Sequence, residues 1–457
     1  MTEFNLQSLS QLDKDRLSAY KANLDFYGGD QWTERSRNRQ LVFNYAKVAI
    51  DKLTSYLMQG LNFACDPLLD GDQEKEKAKR AEALIYQCYD QNNLQELDYE
   101  TEIDAAILGD GCYKITWDAV ARRVRVTSPD VTGLYAWHLG DDLSRVWRVA
   151  SRYTLSAEEV DLLYTRTITK KTAQLTELWT DKTFTLYLDS EPIENKPNPY
   201  GFIPFIIFPN LRKPKQFWGV SDIPALQVPQ RELNRALTQL SRILEVSGNP
   251  IAVLEGVESS ENIAVKPGAV WNLPQDTKAY LLDLLQGGGI RLHIDFIELV
   301  YRCLHDISEA PRAAYGGIDK ELSGTALEIE LQSLLQKVRR KRTIRTSMYR
   351  QRNEMILRLH AQFTREDVQA VNHRIIWGNV LPHDRASEAQ NEQLLVQSGV
   401  HSRRTAMDSM GVRDPENEFN KWLEERKAIL EMNNEYRAQS TRGGSRERNT
   451  AADMESV

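Results

Sequence analysis

The chain has 457 residues, which at about 150 residues per domain predicts roughly three domains or one large elongated subunit with a sizeable core. Its 58 Lys and Arg against 65 Asp and Glu leave a net charge of −7, which excludes a protein that wraps DNA over its whole surface and makes any nucleic-acid contact local. At 41% hydrophobic and 27% charged residues the composition is that of a globular chain, not a disordered or collagenous one.

Without a run of about 18 apolar residues, and with a start (MTEFNLQSLSQLDKD) that lacks the basic-then-apolar order of a secretory signal, neither membrane insertion nor export is expected. Cys65, Cys88, Cys112 and Cys303 show no CxxC spacing, so reduced thiols are expected rather than a disulfide framework or a structural zinc. The phosphate-cradling GxxxxGKS/T loop, the HExxH zinc helix and the GxSxG nucleophile elbow are absent, and the seven histidines form no ligand spacing. No catalytic residue, metal ligand or cofactor is therefore assigned.

Residues 1–64 predict helices, with Leu41, Tyr45, Val48, Leu53 and Leu57 at helical spacing and a stop at Gly60. A further helix is expected over 73–97. EIDAAILGDGCYKITWD runs from a helix through Gly109 and Gly111 into a strand, and RRVRVTSPD alternates like its partner. Strand patterns continue in TAQLTELWTD, TFTLYLD and NPYGFIPFIIFPN (198–210), which closes a mixed α+β region near residue 215.

Ser221 can N-cap a helix whose Leu226, Leu233, Leu237, Leu240 and Leu244 trace one face, with Pro224 in its first turn and a kink or restart expected at Pro229. Short strands IAVLE, AVWNL and AYLLDLL follow, and a glycine junction leads to a second helix at about 290–307. Ile290, Ile294, Ile297, Tyr301 and Leu304 make one apolar face of that helix, and Leu292, Phe296, Leu299 and Cys303 widen it beyond a single stripe. Arg291, Asp295, Glu298, Arg302, Asp306 and Glu309 fall on one narrow polar line. That line reads either as an ordinary solvated face or as the lining of a pore.

Residues 307–324, rich in small residues and glycines, form a loop of functional length. Thr325 and Glu328 match a capping box that opens a helix running to about 363. Within it, 337–352 carries eight basic residues and no acidic one. This block reads either as a nucleic-acid or nuclear-localisation patch or as a helix docked against acidic neighbours such as QELDYETEID at 95–104. Polar helices are expected over 384–438, and composition predicts a disordered tail after 438.

This order of elements resembles the portal proteins of tailed bacteriophages, the head-to-tail connectors at one capsid vertex. The likeness rests on FYGGDQW with NYAKVAID, EIDAAILGDGCYKITWD, GFIPFIIFPN followed by GVSDIPALQ, and ISEAPRAAYGG…LSGTALEIELQSLL, and covers roughly residues 20–365. It implies an α+β, mainly α subunit: a wing at 1–220, a first stem helix at 221–248, a small β-rich clip at 249–286 and a second stem helix at 287–308. A tunnel loop at 309–324, a long wing helix at 325–365, a wing end and crown at 366–438 and a disordered tail at 439–457 complete it.

The resemblance further implies a homo-oligomeric ring, typically of twelve subunits, through which double-stranded DNA passes during packaging and ejection. Arg291, Asp295, Glu298, Arg302, Asp306 and Glu309 would line the channel. Arg312, Tyr315 and Lys320 would touch DNA from a loop made flexible by Gly316 and Gly317, and Arg339, Arg340, Lys341, Arg342 and Arg345 would serve subunit contacts or a basic patch. A separate terminase large subunit would supply ATP hydrolysis. Capsid, scaffold and head–tail adaptor proteins would be the other partners, in the host cytoplasm during assembly and in the virion afterwards. The competing readings are a phage scaffold or minor capsid protein, and a phage DNA-processing enzyme.

Overall fold

The computed structural model describes residues 9–32, 40–248, 251–255, 278–282, 289–316, 324–369, 371–380, 385–412 and 415–452. Two short N-terminal helices, α1 (Leu9–Leu12) and α2 (Lys14–Tyr27), precede α3 (Tyr45–Leu57). Asn44 caps α3 by accepting from the Lys47 amide at 3.2 Å, so the expected helical run begins at Tyr45 and leaves Leu41 outside it.

After β1 (Asn62–Pro67), α4 (Asp72–Gln91) packs on β1 and α5 (Leu94–Leu108) packs beside β2 (Asp110–Asp118). The helix-to-strand switch falls at Gly109, whose φ of 105° ends α5 in the left-handed region where a side chain is strained. β2 pairs antiparallel with β3 (Arg123–Thr127), as the alternation in RRVRVT predicts.

β4 (Leu134–Leu139) and β5 (Asp142–Ser156) lead through α6 (Ala157–Tyr164) to β6 (Thr172–Trp179), β7 (Thr183–Leu188) and β8 (Glu191–Pro197). These strands form a five-stranded antiparallel meander in sequence order. β9 (Phe205–Pro209) returns to pair with β2 and completes a three-stranded sheet. Sequence patterning finds β6, β7 and β9 but passes over β4 and β5, because the register shift opposite Trp137 and His138 breaks the two-residue period of β5.

α7 (Ile223–Gly248) and α8 (Gly289–Ser308) pack against each other, and between them β10 (Ile251–Glu255) pairs antiparallel with β11 (Lys278–Leu282). The AVWNL strand expected between those two lies outside the described residues. α9 (Gly324–Glu330) breaks at Leu331 before α10 (Gln332–Thr364), so the long helix ends where expected but comes in two pieces. β12 (Val371–Ile376) then pairs antiparallel with β1, from Asn62↔Ile376 to Pro67↔Val371.

One core joins Phe63, Ile85, Tyr113 and Ile115 to Tyr349, Ile356 and Leu357 of α10, and a second joins Phe26, Ile50, Leu134, Leu175 and Phe205 to Ile223 and Leu226 at the start of α7. The chain divides into two units, 1–380 and 381–457. The second holds α11 (Arg385–Gln397), α12 (Arg403–Ser409) and α13 (Pro415–Ala452), with Arg403 and Arg426 stacked on Trp422. α13 continues to Ala452, into the segment expected as a disordered tail from residue 439.

Candidate channel and assembly surface

At 100° per residue α8 has three distinct faces. Val300, Leu304, His305 and Ser308 are buried on the first. Leu292, Phe296, Leu299, Cys303 and Ile307 form a second stripe that the subunit leaves open, with Leu292 73% and Leu299 58% exposed. Arg291, Asp295, Glu298, Arg302 and Asp306 form the third, charged and exposed, roughly 100° around the helix from that stripe. Glu298 and Arg302 pair along it at 3.5 Å. Glu309 lies one residue beyond the helix with φ 55°, and its carboxylate meets Arg340 at 2.6 Å.

α7 is held by a polar ladder at four-residue steps. The Gln230 side chain accepts from the Ala46 amide, Asn234 from the Phe43 amide and Thr238 from the Leu41 amide, which straps residues 41–46 along the helix. The restart expected at Pro229 does not occur. The proline removes one donor from a 26-residue helix that Ser221 and this ladder fix on either side.

The loop after α8 is tied down over 309–316. The Lys337 ammonium donates to the Ser308 carbonyl at 3.0 Å, His305 Nδ1 bonds the Ala310 carbonyl at 2.8 Å, and the Tyr56 hydroxyl reaches the Ala314 carbonyl. Tyr315, for which the resemblance implies a DNA contact, is half-buried here, edge-on against His305 and beside the second core, and burial pushes its hydroxyl well above the ordinary tyrosine range. Its apolar ring is worth more inside the subunit than in water. Arg312 is exposed, Gly316 takes φ 83°, and Gly317 and Lys320 lie outside the described residues.

The basic block proves to be largely internal. The Arg345 guanidinium, fully buried, grips Glu102 with two bonds of 2.8 Å and donates to the carbonyls of Pro209 and Asn210 at 2.8 Å each. Arg352 meets Asp98 at 2.5 Å between the rings of Tyr89, Tyr113 and Tyr349. Lys341 and Lys337 converge on Asp222 at 2.6 and 2.9 Å.

Arg342 donates to the carbonyls of Tyr56, Leu57, Gln59 and Gly378, and burial pushes its pKa down to about 10. Lys341 and Arg345, buried, and Arg342, half-buried, are thus cross-links within one subunit, because a cation taken out of water needs a fixed partner and these find theirs in the same chain. Arg339 and Arg340 stay exposed.

Burial would raise the Asp222 carboxyl, but Lys341 and Lys337 together outweigh it and hold the group well below the usual carboxylate range. Lys341 itself is pushed down to about 8 by burial, with Lys337 and Arg345 adding to the effect and Asp222 opposing it. Asp110 accepts from the Tyr20 hydroxyl at 2.5 Å and the Gly219 amide at 2.7 Å, yet burial still lifts it to about 6.

Sequence reasoning named the 95–104 segment as a possible partner of the basic block but missed Asp222, Asp110 and Asn210. The signal was available: GDG at 109–111, PN at 209–210 and GVSD at 219–222 meet here, with the Asn210 side chain bonded to both the Val220 carbonyl and Asp222. The Asn210 amide also donates to the Gly109 carbonyl at 2.7 Å. A Cβ on Gly219 would stand 2.3 Å from that same carbonyl oxygen, so the contact requires glycine.

Among the described residues, no group of three or more His, Cys, Asp or Glu side chains could hold a metal, and no helix is long and apolar enough to cross a membrane. No curated protein sequence matches the chain. A family model described as phage portal protein, SPP1 Gp6-like, matches residues 6–432. With helix, small β element and helix in the order that the resemblance implied, and a match over most of its length, the chain belongs to the SPP1 Gp6-like family of phage portal proteins.

Proposed function

We propose that this subunit assembles into a closed ring at one capsid vertex, that the charged line of α8 faces the central channel, and that double-stranded DNA passes along it during packaging and ejection. The observation that carries the reading is the open apolar stripe beside that line. In a cyclic assembly each helix is flanked by copies of itself, so a stripe left bare by its own subunit is covered by the next one while the charged line remains in water.

Mixed charge suits a channel that must not grip its cargo. Arg291 and Arg302 alternate with Asp295, Glu298 and Asp306, so the line gains little counterion-release affinity for phosphate. In this reading the β10–β11 element and its flanks form the clip that meets the terminase motor and later the head-completion proteins, and the protein supplies the conduit rather than the chemistry.

Leu292→Asp combined with Leu299→Asp tests it. Both residues are exposed in the subunit, so the substitutions leave folding intact and strike only assembly. Wild-type protein is expected as rings with a central hole in negative stain, with a particle mass of about twelve times the 52.5 kDa subunit, and the double variant as folded monomer. A folded wild-type monomer at micromolar concentration, or rings that persist in the variant, would overturn the proposal.

A further inference from the structure

The open stripe of α8 needs a cover, and the opposite side of the same helix shows what can supply it. At 100° per residue, Tyr301 and Ile294 stand about 160° and about 180° around the helix from the middle of the stripe. The charged line lies between, roughly 100° from the stripe and roughly 100° from Tyr301. On that opposite side the Tyr301 ring meets the ring of Tyr45, the first residue of α3, with centroids 5.1 Å apart.

Tyr45 belongs to the strap that Gln230, Asn234 and Thr238 hold along α7. Those bonds take up backbone amides of residues 41–46 and leave apolar side chains bare. Leu41, Val42, Phe43 and, just inside α3, Val48 are exposed, Phe43 by 44%, and Ile294 on α8 is exposed by 49%. The chain before the strap, Thr33 to Arg39, brings no apolar side chain to bury them. Residues 317–323 bring only Ile318 and Leu322, against a stripe of five. Residues 256–277 leave the β10–β11 pair at Glu255 and Lys278, the end away from both helices.

A cyclic assembly joins two different faces, one on either side of the subunit, and α8 has that layout around its charged line. The outer face of α7 is the other candidate to cover the stripe. It presents Arg231, Arg235, Gln239 and Arg242, all exposed, so docking the stripe there would take charged groups out of water against apolar ones. Residues 41–46 carry no charge.

We propose that the stripe of α8 is covered by the Leu41–Val48 edge of the next copy of this chain, with Ile294 beside it. Each subunit then presents the stripe on one side of the channel line and this edge on the other. The inference rests on the ring reading and adds to it the identity of the surface that closes the ring.

Cys303 supplies the probe. It lies in the stripe and is exposed, while Cys65, Cys88 and Cys112 are buried. Val42→Cys and Phe43→Cys are each made in the full-length chain, assembled and mildly oxidised. A ladder of disulfide-linked oligomers is expected on a non-reducing gel, and adding Cys303→Ser should abolish it. Val228→Cys, on the outer face of α7, should give no ladder. Val42→Asp combined with Phe43→Asp changes exposed side chains only and should yield folded monomer.

Intact rings that give no ladder from either cysteine, a ladder as strong from Val228→Cys, or rings that persist with both aspartates overturn this inference and leave the channel reading standing. Wild-type protein that forms no ring overturns both.

Discussion

Asp222→Asn removes one charge and almost no volume from the point where the start of α7 meets α10, and leaves the ammoniums of Lys337 and Lys341 facing a neutral amide. Both lysines are more than nine-tenths buried, so the cost of breaking the pair is about 3–5 kcal/mol if both stay charged. Lys341 has an escape. Burial pushes its pKa down to about 8 with Asp222 opposing; without Asp222 it falls further, so the variant releases this proton at a pH where the wild type still holds it.

The sign follows from proton counting. In the variant the folded state with neutral Lys341 binds one proton fewer than the unfolded state, so its stability rises with pH. The wild type keeps Lys341 charged up to about pH 8. The destabilisation should therefore be largest near pH 6, shrink by about 1.4 kcal/mol per unit to pH 8, and level off above it.

Urea unfolding at pH 6, 7, 8 and 9 measures this, in the Leu292→Asp, Leu299→Asp background so that ring dissociation does not enter the transition. Adding Lys341→Met to Asp222→Asn should recover much of the loss at pH 6, because a charge with no partner is replaced by an apolar chain of similar length. A pH-independent loss of under about 1 kcal/mol would refute the buried cluster as drawn.

Asp110 makes the opposite prediction. Its folded pKa of about 6 lies above the unfolded value, so the folded state holds the proton more tightly and stability falls by about 3 kcal/mol as pH rises from 4 to 6; Asp110→Asn should flatten that part of the stability–pH curve. Gly109→Ala forces a side chain into φ 105° with its Cβ 2.9 Å from the Ser221 nitrogen, and should lower stability by about 3 kcal/mol, read as a fall in melting temperature. Arg345→Lys keeps the charge but loses the fork to Glu102 and two carbonyl contacts, so urea unfolding should show a loss of about 3 kcal/mol without any change in DNA affinity.

Periodicity alone determined much of the local structure. The switch from helix to strand at Gly109, the strands β6, β7 and β9, and the three faces of α8 are all properties of neighbouring residues, and local geometry decides which way neighbours point. The apolar residues and the charged line of α8 could be drawn from residue order, but which apolar stripe the subunit leaves open is known only from the structure.

What the sequence could not decide was the fate of charge. Arg345 and Arg339 look alike along the chain, yet one is buried against Glu102, 243 residues away, and the other faces water. Tyr315 looked free on a glycine-rich loop and is half-buried against the second core. A cation's or a ring's environment is set by whichever distant segments the fold brings to it, and a pattern of near neighbours carries no record of them: Asp222 anchors Lys341 only because β9, the α5–β2 junction and α10 have already met.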